Sequence, residues 1–174
     1  MQDFLNDVFP NILDGQAFLR ISIRLAASII LGGAIGWERQ IEGKTAGVRT
    51  HMMVSLGAAL FALTSLEINA DSKELTKVIQ GVAAGVGFLG AGAIIKVSSE
   101  NEPKGLTTAA GIWMTAAIGL AVGAGLLWPA VIGVVMAWLV LGYFHVVERW
   151  WRRRRKLRQH GSGQSDTPVQ HPPT

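Results

Sequence analysis

The sequence predicts an all-α integral membrane protein of about five transmembrane helices packed through glycine-rich faces. Three observations carry that expectation. Mean hydropathy is +0.34, with 49% hydrophobic and only 16% charged residues, a balance that suits a bilayer better than water. The charges are also segregated: no Asp, Glu, Lys or Arg occurs between Thr50 and Leu66, between Val78 and Ile95, or between Gly105 and Val147. A span needs about 20 mostly apolar residues, and the last run is long enough for two. Finally, Gly81 to Gly92 places five glycines in one apolar stretch. Gly85, Gly87 and Gly90 spell a G-x-G-x-x-G, but a dinucleotide-binding turn needs a strand before it and an acid about 20 residues later, and neither is visible. Gly81 and Gly85 instead read as a small-x-x-x-small pair that lets a neighbouring helix approach closely.

Along the chain, residues 1–16 read as an interfacial amphipathic segment. Phe4, Leu5, Val8, Phe9, Ile12 and Leu13 recur at helical spacing opposite Asp3, Asp7 and Asp14, with a kink near Pro10. The absence of an early Lys or Arg argues against a signal peptide. Residues 17–147 form the predicted transmembrane domain. Its first helix, about Ala17 to Trp37, has an uncharged core only from Leu25 to Trp37, about 20 Å at 1.5 Å per residue. Arg20 and Arg24 therefore lie within or near the membrane on one face, where they either snorkel to the headgroups or serve a function.

The second span opens at Arg49, Thr50 and His51, with Thr50 as its expected N-cap. The third carries Gly81, Gly85, Gly87, Gly90 and Gly92. The fourth opens at Gly105-Leu-Thr-Thr-Ala-Ala110, with Thr107 or Thr108 as cap, and then repeats small residues at Gly111, Thr115, Gly119 and Gly123. That face is expected to cross closely against the Gly81 to Gly92 helix, while Gly32 and Gly36 offer a similar face on the first. Gly123-Ala-Gly125 followed by Trp128-Pro129 divides the fourth helix from the fifth, because proline is tolerated in a first turn.

Orientation follows from positive charge, which gathers on the cytoplasmic side. Arg149, Arg152, Arg153, Arg154, Arg155, Lys156 and Arg158 follow the last span, so the C-terminus is expected in the cytoplasm and, with five spans, the N-terminus outside. Lys73 and Lys77 run against this assignment. Within residues 148–160, Trp150 and Trp151 with Arg152, Arg153, Arg154 and Arg155 read as a lipid anchor, indoles at headgroup depth and guanidinium groups on anionic lipid. Nucleic acid is the rival partner for such a run, and the juxtamembrane position argues against it. Residues 161–174 have the composition of a disordered tail.

The polar residues give no catalytic set. The sequence has no H-E-x-x-H, no G-x-S-x-G, no carboxylate pair within a span and no cysteine. No catalytic residue, metal-ligand set or cofactor is expected. His51 and His145 lie near apolar segments, and a hydrogen-bonded structural role is the ordinary reading of a lone histidine. Glu38 and Glu42 near the inner surface, with Glu67, Asp71 and Glu74 near the outer one, either attract cations or are plain loop charges. A hard-cation pathway needs oxygen ligands inside the membrane, and the spans after the first contain no carboxylates; backbone carbonyls of a glycine-rich broken helix remain an alternative lining. The segments Gly36-Trp-Glu-Arg39 and Ala46-Gly-Val-Arg-Thr-His51 carry more polar detail than a connector needs. They read either as a cluster that docks a partner or headgroup, or as two helix ends satisfied by their own charges.

Taken in order, these segments closely resemble the MgtC/SapB family of bacterial membrane proteins. The resemblance rests on Leu31-Gly-Gly-Ala-Ile-Gly-Trp-Glu-Arg39, Ala46-Gly-Val-Arg-Thr-His51, Gly85-Val-Gly-Phe-Leu-Gly-Ala-Gly92 and Gly105-Leu-Thr-Thr-Ala-Ala110 leading into Trp113 and Gly119, from about Arg24 to Gly125. It implies a multi-pass inner-membrane protein linked to adaptation to low magnesium and, in pathogens, to survival inside macrophages. Family members are generally regarded as regulators rather than proven transporters, some acting on ATP synthase. The better-known virulence members carry a folded soluble domain after the last span, so the resemblance here is to the short, SapB-like form; activity housed in that domain is not carried over, and a link to virulence is only loosely implied by the resemblance. The motif residues Glu38, Arg39, Arg49, Thr50, His51, Phe88, Thr107 and Thr108, together with Arg24, are the candidate functional surface.

The resulting expectation is a non-enzymatic regulator of magnesium homeostasis that binds a membrane partner. The alternative is a magnesium or other cation transporter or channel. A third reading pairs Arg24 with Glu67 or Asp71 as an outer gate. The glycine faces permit a homo-oligomer and equally a compact monomer.

Overall fold

A computed structural model describes residues 15–68, 72–96 and 103–142. Five helices run through them: α1 (Gly15–Ile41), α2 (Val48–Glu67), α3 (Ser72–Gly92), α4 (Leu106–Gly123) and α5 (Leu127–Gly142). Between α3 and α4 a minimal antiparallel ladder joins β1 (Ile95–Lys96) to β2 (Pro103–Lys104), pairing Ile95 with Lys104 and Lys96 with Pro103. The class is all-α, as expected. The N-terminal amphipathic segment, Asp71, His145, the Trp150 to Arg155 anchor and the tail lie outside the described residues. The described residues from Gly15 to Ala137 belong to one compact unit, whose C-terminal boundary falls within α5.

By length and composition three of these helices can cross a membrane: Gly15–Ile41, Lys73–Gly92 and Leu106–Gly123. The 20 residues of α2 are as long, but Arg49, His51, Ser55, Thr64, Ser65 and Glu67 dilute their apolarity. Large apolar side chains such as Trp37, Phe61, Phe88 and Trp128 face outward, which is costly in water and ordinary against lipid.

Two helix ends share one device. After α4, the Leu126 N–H donates to Ala121 O at 2.8 Å and the Gly125 N–H to Val122 O at 2.9 Å. After α1, the Lys44 N–H donates to Arg39 O and the Gly43 N–H to Gln40 O, both at 3.0 Å. Each is a 6→1, 5→2 Schellman pair, and the left-handed residue it needs is glycine: Gly125 at φ 84° and Gly43 at φ 67°. The chain then re-enters a helix at Leu127, with Pro129 in its first turn, where the missing N–H costs nothing.

Helix starts differ from expectation. The cap before α2 is Gly47 and that before α4 is Gly105, neither with a side-chain cap, so Thr50, Thr107 and Thr108 all lie inside their first helical turns. Gly105 is required by its backbone, since φ is 99° and a Cβ would collide with the Ala93 carbonyl. At Val48 the donor is met from another helix: Gln40 Oε1 accepts its N–H at 3.3 Å.

The packing partner of the α4 glycine face is also different. That face lies on α2, not on the Gly81 to Gly92 helix. A Cβ on Gly119 would run into the carbonyl of Ser55 and stand 2.8 Å from its Cα; one on Gly123 would strike the Ala59 carbonyl and stand 2.9 Å from Ala62 Cβ. From the other side α1 approaches the same helix. Cβ atoms on Gly32 and Gly36 would stand 2.6 Å from Ser55 Cβ and 2.6 Å from Val48 Cα. The reason is complementarity: Ser55, Ala58, Ala59 and Ala62 give α2 small residues on the contacting surfaces, so backbone meets backbone.

On α3, by contrast, nothing described lies within 4 Å of a Cβ at Gly81, Gly85, Gly87 or Gly92, and only Gly90 meets α4, at Ala109. The helix packs instead through Val82 and Val86 in a cluster with Ile112, Ala116 and Leu120. Between α2 and α3 lies an open apolar groove of about 650 Å³, lined by Met53, Gly57, Phe61, Gly81, Gly85 and Leu89 among others.

This geometry separates two kinds of glycine. Gly119→Ala or Gly123→Ala should destabilise the protein in detergent by about 1–3 kcal/mol, the usual cost of overpacking. Gly81→Ala should be neutral or gain up to ~1 kcal/mol of helix propensity. Thermal or denaturant unfolding of the purified variants measures both.

Candidate functional site: a closed ion cluster at the α1–α2 corner

The last turn of α1 places Glu38, Arg39 and Glu42 together. Arg39 is a charged side chain only 1% exposed. Its Nε donates to Glu38 Oε2 at 2.8 Å and its NH2 to Glu38 Oε1 at 2.6 Å, a two-pronged fork. The same NH2 reaches Glu42 Oε2 at 2.8 Å, and Lys44 Nζ stands 3.9 Å from that oxygen. The Schellman turn at Gly43 is what folds Lys44 back toward Glu42. A buried guanidinium is tolerable only when its donors are met, and a planar fork meets a carboxylate better than an ammonium does.

Below the cluster the interior is polar but narrow. His51 is fully buried, with Nδ1 2.9 Å from the Gly47 carbonyl oxygen. Cβ positions on Gly36 and Gly111 would lie against its side chain, at 3.0 Å from Cβ and 3.5 Å from Nε2. Ser55 and Thr115 are equally buried, and the Thr115 hydroxyl returns to the Gly111 carbonyl at 2.8 Å. Thr108 is buried on α4, while Thr107, Arg49 and Thr50 are exposed. Of the candidate residues, then, Glu38, Arg39 and His51 belong to one corner, where a Cβ on Gly111 of α4 would stand 3.5 Å from His51 Nε2 and 4.0 Å from Arg39 Cδ. Arg49, Thr50 and Thr107 face outward from the first turns of α2 and α4. Phe88, 82% exposed on α3, is not part of that corner.

Arg24 belongs to the far end of α4. Its NH1 donates to Gly123 O at 3.1 Å, and the guanidinium covers Gly125, 2.7 Å from where a Cβ would be. A cation on the last carbonyls of a helix answers both unpaired acceptors and the helix dipole. Arg24 is thus a helix-end ligand rather than half of an Arg24–Glu67 gate. The residue beside Glu67 is Arg20, at 3.9 Å, with a well-exposed side chain, a geometry worth little in stability. Gln40 and Gly43 were not distinguishable from linker residues by pattern. A Gly two residues after the end of an apolar helix was the available signal for the turn.

Helices joined by small-residue contacts, apolar outside and charged at their ends, define a membrane protein. The chain belongs to the MgtC family, whose model matches residues 25–150. It is 41% identical over 149 residues to protein SrpB of Synechococcus elongatus, covering 78% of this chain and 82% of that one. It is 46% identical over 130 residues to YhiD of Escherichia coli K12, named as a candidate magnesium transporter, covering 71% and 60%. To protein MgtC of Brucella abortus it is 43% identical over 111 residues, covering 64% and 45%. The chain thus spans most of SrpB but only about half of the other two. No solved structure matches it.

Arg39→Ala should cost about 3 kcal/mol, because it leaves two carboxylates facing each other in a partly buried corner. Arg39→Lys should recover only part of this, lacking the fork. Denaturant midpoints in mixed micelles are the measurement.

Proposed function

We propose that the chain is a non-enzymatic, multi-pass protein of the bacterial inner membrane that acts in magnesium homeostasis by contact with a membrane partner. Its membership of the MgtC family supports the magnesium connection. The observation that favours regulation over transport is the occupancy of the corner carboxylates. Glu38 and Glu42 are both engaged by the Arg39 guanidinium, a resident cation standing where a transported one would have to compete. Hard cations are stripped of water only by oxygen ligands that are available to them. The contact surface in this reading is the exposed polar edge formed by Arg49, Thr50 and Thr107. Its partner is a membrane protein such as ATP synthase, with anionic headgroups on the basic segment 148–160. The C-terminus faces the cytoplasm and the N-terminus the outside. The second reading, a magnesium or other cation transporter, is favoured by the name carried by YhiD.

Two measurements separate them. Sealed proteoliposomes holding the purified protein should take up magnesium no faster than empty vesicles; uptake that falls in a stably folded Glu38→Gln variant would instead establish transport. In a deletion strain, Arg49→Ala should lose growth at low magnesium with its membrane level unchanged, and full complementation would remove this edge from the account. A reporter active only in the cytoplasm should work at the C-terminus.

A further inference from the structure

The groove between α2 and α3 changes character along its length. Among the described residues no polar side chain lines its main hollow of about 650 Å³, whose walls include Met53, Val54, Phe61, Val82 and Leu89. A second hollow of about 450 Å³ adjoins it, the two sharing Gly57, Phe61 and Val78. There the walls turn polar, with Thr64, Ser65 and Glu74. Thr64 and Ser65 stand in the last turn of α2 and Glu74 in the first turn of α3, so the polar end of the trench lies where both helices leave the apolar layer.

Length and width narrow the choice of occupant. The walls run from Met53 to Ile68 on α2 and from Glu74 to Leu89 on α3, each about 22 Å of helix at 1.5 Å per residue. One leaflet, hydrocarbon and headgroup layer together, is about 20–22 Å deep. A helix of a second copy, about 10 Å across, displaces on the order of 1,700 Å³ over that length, more than the two hollows hold, so it would lie on the groove rather than in it. Water finds no polar partner along the main hollow. A single hydrocarbon chain needs none, and its floor is clear: nothing described lies within 4 Å of a Cβ at Gly57, Gly81 or Gly85.

The mouth carries a charge of each sign. Lys77 Nζ stands 2.7 Å from Glu74 Oε1, with both side chains more than half exposed. A cation and an anion held side by side match a headgroup that itself carries both, an ammonium for Glu74 and a phosphate for Lys77. A headgroup with the phosphate but no amine would leave Glu74 facing a like charge.

We propose that the α2–α3 groove holds one phospholipid of the phosphatidylethanolamine class, drawn from the leaflet on the side of the α2–α3 connection. One acyl chain lies along Phe61, Gly81 and Gly85, and the headgroup sits at Glu74 and Lys77. The site is independent of which side that leaflet faces and of the proposed role in magnesium homeostasis.

The test is native mass spectrometry of the full chain purified in detergent and incubated with phosphatidylethanolamine or phosphatidylglycerol, which counts lipids and protomers together. The wild type should keep one phosphatidylethanolamine per protomer, in preference to phosphatidylglycerol. Gly85→Leu fills the hollow from a position with open space around it, so the retained lipid should be lost while the thermal unfolding midpoint holds. Glu74→Gln, at the exposed mouth, should keep the fold and weaken phosphatidylethanolamine retention about three- to fivefold, the worth of an exposed charge contact. No retained lipid in the wild type, equal retention of the two lipids, or unchanged retention in Gly85→Leu would overturn the proposal. So would paired protomers that Gly85→Leu separates, which would assign the groove to a second copy.

Discussion

The packing of α1, α2 and α4 hangs on the backbone of α2 being touched from two sides near Ser55. Gly32 of α1 meets the Ser55 side chain and Gly119 of α4 meets its carbonyl. In lipid there is no hydrophobic gain from bringing two apolar helices together, since acyl chains are as apolar as leucine. Dispersion at close range has to do the work, and it falls off within an ångström of the optimum. A methyl at Gly32, Gly119 or Gly123 would force the helices apart, so those glycines fix the distances on which the other contacts depend.

The corner at Arg39 is a consequence of that closeness. With α1, α2 and α4 drawn together, a long cationic side chain at the end of α1 has no route to water and must find its charge partners locally. Glu38 and Glu42 supply them, one from the adjacent residue and one from a turn later, and the glycine turn at Gly43 brings Lys44 toward the Glu42 carboxylate. Arg24 solves the corresponding problem at the other end by donating to the Gly123 carbonyl at the end of α4. Arginine therefore serves two purposes in this fold, neutralising acids at one end and closing a helix at the other.

Of the candidate site, the residue types were legible and their grouping only partly so. The spacing of Glu38, Arg39 and His51 around a short polar connector marked the corner. It did not mark Gln40, whose amide oxygen serves the first turn of α2 in place of a threonine cap, nor the separation of Phe88 from that corner. Threonine just inside an apolar run is a sound N-cap signal when the preceding residue can be extended. Here Gly47 and Gly105 hold the cap positions instead, the latter because its backbone passes too close to Ala93 for any side chain.

The sequence by itself determined that the chain is helical, that bilayer rather than water is its solvent, and where its helices break. Those properties follow from composition, charge segregation and glycine–proline punctuation, all local. Which glycine face meets which helix was a tertiary decision. Both Gly81 to Gly92 and Gly111 to Gly123 show the same small-residue periodicity, and periodicity names a face without naming its partner. In the folded chain Gly119 and Gly123 close on Ser55 and Ala59 of α2, while Gly81 and Gly85 of α3 line an open groove.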